Sequence, residues 1–379
     1  MKITSVEDFF LIRAGNIFLS NKEKQNTVKL VKKNQSRFNW SYVLEHAEKN
    51  YIIPQLYFLI DSIKDKIDIP SAVCEFLEKL YYRTVSFDLA AQHTLKEVST
   101  LFVRNNIEFL LVKGNAIARY YPKSSARYYI DIDFLIPSGM MIKKASKLLL
   151  KAGYNLYSVS QPKGDVFFHL HYTKPQRFSV ELLRELQWGK YRAFISTSCL
   201  FSNAVEEPVN DQTVLHASPE DSIVIICARL LDTGFFLIRD LVDVWIILNE
   251  LSGKLDWDYL LRRADEDGLT PALITLLYLA NRINGHAVIP DRIFRKLRKK
   301  FFSKFLFSLL EKTELSLPLL EYSNLSRVIL LFALLQKYKR DLHFFILRGY
   351  QSGFGKEIVK FLLKRIREPL GVGFLEKLF

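Results

Sequence analysis

The sequence predicts an α+β fold in which a small mixed β-sheet is embedded in a mostly helical protein. Apolar residues recur at helical spacing over long stretches before residue 105 and again after residue 191. Between residues 106 and 190 the pattern changes to short runs rich in branched and aromatic residues, which is typical of strands. With 379 residues, 49% of them hydrophobic, the chain is long enough to bury at least one large core.

The helices before the sheet are predicted over residues 40–49, 54–62 and 71–104. The first two belong to a pattern that occurs twice: Trp, Tyr, Leu, Ala, Pro and Leu at positions 40, 42, 44, 47, 54 and 56 recur 217 positions later. In each copy the proline falls in the first turn of the second helix, where a missing N–H is harmless. We therefore expect two similar helix-turn-helix units, one on each side of the sheet.

Three short runs in the middle of the chain are predicted to be strands, over residues 109–112, 128–136 and 177–183. The first strand ends in Lys113-Gly114, and a helix is predicted from Asn115. A glycine lets the backbone approach a ligand closely, and the N-terminus of a helix attracts anions. The turn after the first strand is therefore a candidate phosphate-binding site.

Acidic residues lie on the other two predicted strands. Asp131 and Asp133 share one face of their strand, about 6.6 Å apart along the chain, because side chains alternate between the faces of a strand. Glu181 is the acidic residue on a face that also holds Ser179 and Leu183. A carboxylate buried alone is costly, so we expect Glu181 to have a partner. Paired carboxylates suit Mg²⁺, which takes one or two of them together with substrate phosphates.

These motifs resemble the minimal nucleotidyltransferase superfamily related to DNA polymerase β, whose pattern is a hydrophobic strand, a glycine turn, an Asp-x-Asp strand and a third carboxylate. A narrower resemblance, over residues 38–290, is to an uncharacterised bacterial nucleotidyltransferase family. It rests on Lys113-Gly114, Tyr121-Pro122, Arg127, Asp131-Ile132-Asp133, Val180-Glu181-Leu182 and Ser218-Pro219-Glu220-Asp221. Two positions depart from the patterns: Asn115 stands where the superfamily usually has serine, and Leu182-Leu183 follows Glu181 where the narrower family often has Leu-His.

The resemblance implies an enzyme that transfers an NMP from an NTP such as ATP to an acceptor, with release of pyrophosphate. The catalytic residues, and the ligands of Mg²⁺ or of Mn²⁺ in its place, would be Asp131, Asp133 and Glu181. Glu181 would complete a second metal site or act as a base toward the acceptor. The nucleotide would be bound by Lys113, Gly114, Asn115 and Arg127. The acceptor is left open between a small molecule, a peptide, a protein and RNA.

Other polar residues have structural interpretations beside the functional ones. Arg127 could be an ordinary surface cation, or it could pair with the aspartates or a triphosphate. His169 and His171 would share a strand face and could bind a transition metal, but no third ligand lies nearby in the sequence, which favours a structural role. Arg239 and Asp243, at i and i+4, are predicted to form a helix-surface pair, with contact to the acceptor in the cleft as the alternative.

The chain is predicted to contain four regions: an N-terminal helical region (1–105), a nucleotidyltransferase α/β core (106–190), a helical domain (191–290) and a basic C-terminal helical region (291–379). In the third region, a helical stretch over 219–251 is predicted to begin after a Ser218 cap. Residues 290–379 contain 19 lysines and arginines against 8 acidic residues, which is +11 of the net charge of +14. Segments 293–310 and 356–367 interleave cations with apolar residues at helical spacing, and such a surface could attract nucleic acid, an acidic peptide or an anionic membrane.

Composition also indicates a compartment. The three cysteines lie far apart and in no metal-binding spacing, which fits a reducing environment. The sequence shows neither a signal peptide nor a transmembrane segment, so we expect a cytoplasmic protein. The predicted function is Mg-dependent nucleotidyl transfer. The alternatives are a non-catalytic nucleotidyltransferase-like binding module and a nucleic-acid-binding protein that uses the basic C-terminal helices.

Overall fold

A computed structural model describes residues 5–17, 19–160, 169–188, 193–209, 212–233, 236–251, 253–284, 289–299 and 303–312, together with residue 329. The helices of the described residues are α1 (Val6–Gly15), α2 (Asn21–Asn34), α3 (Trp40–Lys49), α4 (Ile53–Ile63), α5 (Ser71–Arg104), α6 (Lys113–Ala118), α7 (Gly139–Lys151), α8 (Thr197–Ser202), α9 (Pro219–Thr233), α10 (Ile238–Glu250), α11 (Trp257–Glu266), α12 (Thr270–Asn284), α13 (Asp291–Arg298) and α14 (Ser303–Lys312). The strands are β1 (Leu110–Val112), β2 (Asp131–Leu135), β3 (Asn155–Ser160), β4 (His169–Thr173), β5 (Ser179–Leu183), β6 (Leu186–Trp188), β7 (Ala193–Ile195), β8 (Val205–Val209) and β9 (Gln212–His216).

Seven of these strands form one mixed sheet in the order β3-β4-β5-β2-β1-β9-β8. The β2–β5 and β1–β9 pairs are parallel, and the other neighbours are antiparallel. The remaining two, β6 and β7, form a separate antiparallel pair. A mixed sheet within a mostly helical chain confirms the predicted α+β fold.

The sheet extends further along the chain than predicted. The sequence analysis ended the α/β core at residue 190, whereas β8 and β9 lie after that position and belong to the same sheet. Strand β9 joins because it pairs in parallel with β1, and β8 joins β9 through an antiparallel hairpin. The short alternating runs in β8 and β9 are therefore sheet residues within the region predicted to be a helical domain.

The helix predictions are close to the observed elements except at one place. Helices α3 and α5 have the predicted bounds, and α4 extends one residue beyond its prediction at each end. The predicted stretch over 219–251 is two helices, α9 and α10. Helix α10 is separate from α9 because Leu237, which precedes it, has an extended backbone. The Leu237 N–H donates to the Asp240 carboxylate at 2.8 Å, and this bond caps α10.

The repeated pattern corresponds to two helix pairs, α3–α4 and α11–α12. Each pair begins with an acceptor side chain that caps the first helix: Asn39 accepts from the Tyr42 N–H at 3.0 Å, and Asp256 accepts from the Tyr259 N–H at 2.9 Å. The two predicted helix-turn-helix units are therefore present, one before and one after the sheet strands along the chain.

Two apolar clusters support the sheet. One face packs on α5, where the rings of Phe102, Phe109 and Phe134 lie edge to face with centroids 5.3 to 5.8 Å apart. The larger cluster joins α1, α4, α9, α10 and α12 with strand ends of the sheet. Contact between β1 and both clusters fixes the turn that follows this strand, since Leu111 lies in the first cluster and Val112 in the second.

The C-terminal prediction is only partly covered by the described residues. Helices α13 and α14 account for most of segment 293–310. Segment 356–367, the second of the predicted basic helices, lies outside the described residues. Within the described part of the chain, none of the helices combines the length and the apolar character needed to cross a membrane.

Candidate active site

Pairing within the sheet brings two of the three predicted carboxylates side by side. Strand β2 lies between β1 and β5, so that Asp133 is opposite Val112 on one side and opposite Glu181 on the other. Asp131 is opposite Ser179. Asp133 is fully buried, Glu181 is almost fully buried, and Asp131 is partly exposed.

Lys113 connects these carboxylates. It is the first residue of α6 and follows β1 directly. Its Nζ donates to Asp133 Oδ1 at 2.7 Å and lies 3.8 Å from Glu181 Oε2. The backbone of Lys113 has φ 56°, in the left-handed region that few non-glycine residues adopt. Helix α6 thus begins two residues before the predicted Asn115, and the strained residue of the turn is the lysine.

The charges of the cluster are set by burial and by each other. Burial and the neighbouring carboxylates raise the pKa of Asp133 well above its usual value, although Lys113 opposes this. Burial and Glu181 raise the pKa of Asp131. For Glu181, burial is outweighed by His169 and Lys113, which lower the pKa to about 2. The cluster therefore holds more negative charge than the ammonium of Lys113 neutralises when all three carboxylates are ionised.

Gly114 is required by packing. A Cβ added at this residue would lie 3.0 Å from Tyr129 Cβ and 3.3 Å from Tyr129 Cγ. Its φ is not in the left-handed region. The glycine of the motif therefore lets α6 lie against the Tyr129 ring, which brings the lysine turn close to β2.

Arg127 holds the same turn from the other side. Its Nε and Nη2 each donate to the Asp243 carboxylate at 2.8 Å, and its Nη1 donates to the Gly114 carbonyl at 2.9 Å. The side chains of Arg127 and Asp243 are 5% and 1% exposed. These contacts identify Arg127 as a positioning residue for the turn, and they show that it is not a surface cation.

Asn115 lies on the side of α6 away from the carboxylate cluster. Its side chain lines a different cavity of about 290 Å³, together with Asp88, Arg119 and His216. It also forms a hydrogen bond with Tyr129. The structure thus separates Asn115 from the other residues predicted to bind the nucleotide.

The two histidines lie on β4, which neighbours β5 and not β2. His171 is opposite Glu181, and His169 Nε2 lies 3.0 Å from Glu181 Oε1. Among the described residues, no three His, Cys, Asp or Glu side chains are arranged as a metal site. Contact with His169 favours the ionised form of Glu181.

A cavity of about 300 Å³ opens beside the carboxylates, between the sheet and α10. Its lining includes Lys113, Asp131 and Asp133 from the sheet side, and Arg229 and Arg239 from the helices. Arg239 and Asp243 do not form the predicted surface pair, because both line this cavity and Asp243 pairs with Arg127. The prediction was wrong because α10 is buried on several faces, so an i, i+4 spacing does not identify its solvent side.

The cavity residues that the sequence analysis missed include Tyr51, Tyr128 and Arg229. Tyr51 and Tyr128 stack with ring centroids 5.5 Å apart and an interplanar angle of 11°. Arg229 forms an ion pair with Asp240. The only sequence signal was the proximity of Tyr128 to the Asp-x-Asp motif, since Tyr51 and Arg229 come from regions distant in the chain.

Comparison with known proteins assigns the chain to a family. The model of a family described as uncharacterised nucleotidyltransferases matches residues 36–285, which is more than half of the chain. The chain therefore belongs to this uncharacterised nucleotidyltransferase family, whose name implies an NTP substrate.

Other comparisons add little to this assignment. No curated protein matches the chain. Among solved structures, the crystal structure of JHP933 from Helicobacter pylori is similar at 13% identity and a TM-score of 0.30, covering 69% of this chain and 98% of that one. A similarity of this size supports no inference about fold or function.

Proposed function

We propose that the protein transfers an NMP from an NTP to an acceptor and releases pyrophosphate. The observation that supports this best is the carboxylate cluster of Asp131, Asp133 and Glu181, which lies beside the Lys113 turn at the edge of a cavity of about 300 Å³. We also propose membership of the superfamily related to DNA polymerase β, because the order of strand, turn, Asp-x-Asp and third carboxylate matches its pattern.

The three carboxylates are not arranged as a complete metal site by themselves, but a divalent cation such as Mg²⁺ or Mn²⁺ needs only one or two carboxylates when substrate phosphates supply further oxygens. Asp133 Oδ2 is buried and has no hydrogen-bond partner among the described residues, and its other oxygen already contacts a cationic group. An unpartnered buried carboxylate oxygen is costly, and hard cations prefer such oxygens as ligands. Asp131 and Asp133 would hold the ion, with Glu181 beside them. A bound ion would neutralise charge on the phosphate oxygens.

Glu181 fits the role of a permanently charged ligand better than the role of a general base. A general base works best when its pKa lies near the pH of the reaction. The pKa of Glu181 is lowered to about 2 by His169 and Lys113 despite burial. At neutral pH it would therefore contribute negative charge and attract few protons.

During turnover the Lys113 ammonium would leave a carboxylate of the cluster and bind the triphosphate of the NTP. Its ammonium lies between Asp133 and Glu181 and is partly exposed toward the cavity. A triphosphate that enters the cavity offers more charge than one carboxylate, so the flexible lysine side chain would turn to it. The transfer would then depend on positioning and charge stabilisation, which require few residues.

The direct test is calorimetric titration of the four NTPs with Mg²⁺ into the wild-type protein and into the Asp131→Asn, Asp133→Asn variant. We expect one or more NTPs to bind only when both the metal ion and the aspartates are present. A matched control is the Asp65→Asn, Asp68→Asn variant, which removes the same charge from exposed positions. A second experiment then measures the transfer of label from α-labelled NTP to candidate acceptors.

Three results would contradict the proposal. Wild-type protein that binds no NTP would point to a non-catalytic module. Equal binding by the wild-type protein and the aspartate variant, with both folded, would place any nucleotide site elsewhere. Binding of nucleic acid that falls steeply with salt and survives the aspartate changes would move the function to the basic surface.

A further inference from the structure

Arg239 is a cation of the cavity that has no carboxylate partner among the described residues. Lys113 pairs with Asp133, Arg127 with Asp243, and Arg229 with Asp240. Arg239 donates only a long hydrogen bond of 3.4 Å to the Tyr128 carbonyl. Its Nε is buried and has no hydrogen-bond partner in the described structure.

The guanidinium of Arg239 is held by stacked rings. It lies over the Tyr51 ring at 4.7 Å from the centroid, and the Tyr51 ring also stacks with the Tyr128 ring. An arginine stacked on an aromatic ring keeps its N–H groups free to point sideways at an anion. The stack therefore orients Arg239 and leaves its Nε without a hydrogen-bond partner among the described residues.

The backbone of Tyr51 is strained at this position. Its φ of 55° lies in the left-handed region, which is unfavourable for a bulky aromatic residue. Among the described residues, four that are not glycine have positive φ, and two of these, Tyr51 and Lys113, line the same cavity. For Tyr51 this conformation ends α3 in a Schellman motif, in which the N–H groups of Tyr51 and Ile52 donate to the Glu48 and Ala47 carbonyls at 3.0 and 2.9 Å. The Tyr51 side chain lies at the cavity as a result.

We propose that Arg239, oriented by Tyr51, binds the triphosphate tail of the donor nucleotide. The inference rests on the proposed function, because it names the part of the NTP that this side of the cavity receives. Arg239 and Asp131 line the same cavity. A phosphate chain held by Lys113 on the sheet side and by Arg239 on the helix side would span the cavity.

The test uses inorganic tripolyphosphate as a probe, because it carries the charge of the tail without base or sugar. Its affinity is measured by calorimetry at constant ionic strength for wild type, Arg239→Gln and Tyr51→Gly. We expect Arg239→Gln to weaken tripolyphosphate binding by about 10- to 100-fold, the usual effect of losing charge-assisted hydrogen bonds. Arg262→Gln is the matched control, because Arg262 also lies over a tyrosine ring, at 5.5 Å, but on α11.

Tyr51→Gly separates binding from folding. Glycine accepts the left-handed backbone without strain, so this variant should be at least as well folded as wild type in this turn. We expect it nevertheless to bind tripolyphosphate about 3- to 10-fold more weakly, because the guanidinium loses its support. Folded Arg239→Gln or Tyr51→Gly protein that binds the probe within about twofold of wild type would overturn the proposed role of the changed residue.

Titration with the four NTPs distinguishes this inference from the proposed function. NTP binding that needs the aspartates but is unchanged in Arg239→Gln would leave the function standing and refute the inference. Tripolyphosphate binding that needs Arg239, in a protein that binds no NTP, would leave Arg239 as a polyphosphate-binding residue and refute both the function and the assignment of that anion to a nucleotide. Absence of binding by wild type to both probes would refute both.

Discussion

The buried pair of Arg127 and Asp243 offers a quantitative test of what holds the Lys113 turn. Two hydrogen bonds of 2.8 Å join the guanidinium to the carboxylate, and both side chains are at most 5% exposed. Breaking such a pair by removing one partner typically costs about 3–5 kcal/mol, because the other charge is left buried. We therefore expect large losses of stability for the single variants Arg127→Met and Asp243→Leu.

The two losses should differ in size. In Arg127→Met, Asp243 keeps the hydrogen bond of 2.6 Å from the Tyr121 hydroxyl and can take up a proton. In Asp243→Leu, Arg127 keeps only the Gly114 carbonyl and cannot lose its charge. The expected costs are about 3 kcal/mol for the arginine change and about 4–5 kcal/mol for the aspartate change.

The double variant completes the cycle. Because it leaves no buried charge, it should be more stable than the sum of the single losses predicts by about 2–3 kcal/mol. Urea unfolding followed by circular dichroism measures all four free energies of unfolding. Additivity within about 0.5 kcal/mol would refute the pairing of Arg127 with Asp243 and would favour the original prediction that this arginine serves the nucleotide.

Three further changes test local features of the fold. Gly114→Ala should destabilise the protein by about 1–3 kcal/mol, because its Cβ would meet Tyr129 at 3.0 Å, whereas Gly139→Ala, with its nearest neighbour at 3.8 Å, should be neutral or stabilising in thermal unfolding. Ser218→Ala should cost about 1 kcal/mol in the same assay, since it removes the acceptor that caps α9 at 3.0 Å. Burial and Arg119 lower the pKa of His216 from 6.5 to about 3, so the unfolded chain alone takes up this proton between those values, and the free energy of unfolding decreases as the pH is lowered through this range. His216→Gln should reduce this dependence of the free energy of unfolding on pH by up to about 1.4 kcal/mol per pH unit. Equal pH slopes for wild type and His216→Gln, measured by urea unfolding, would contradict this prediction.

Much of the fold could be predicted because its local signals agree with its tertiary contacts. Helix α5 has the predicted bounds, since its apolar face is continuous and proline precedes it. The carboxylates Asp131 and Asp133 could be placed on one strand because side chains alternate at a fixed period. The position of Asp133 opposite Glu181 on paired strands could not be predicted, because the register between strands distant in sequence depends on the whole sheet.

The helix side of the cavity was beyond prediction for a related reason. Arg239 was noted only for its spacing from Asp243, and spacing on a helix does not identify which face is buried. The left-handed backbone of Lys113 was equally hidden, since lysine has no preference for that region and the adjacent glycine was the obvious candidate. Both features depend on packing between segments more than 100 residues apart.

The order of strands has a consequence for how the protein is made. Strand β1 is bordered by β9, and the turn after β1 is fixed through Arg127 by a carboxylate on α10. A nascent chain that has emerged as far as residue 190 contains all seven residues first predicted to form the site, yet it lacks both of these supports. The Lys113 turn gains this support only after Asp243 has left the ribosome, so the final geometry of the candidate site depends on sequence that lies outside residues 106–190.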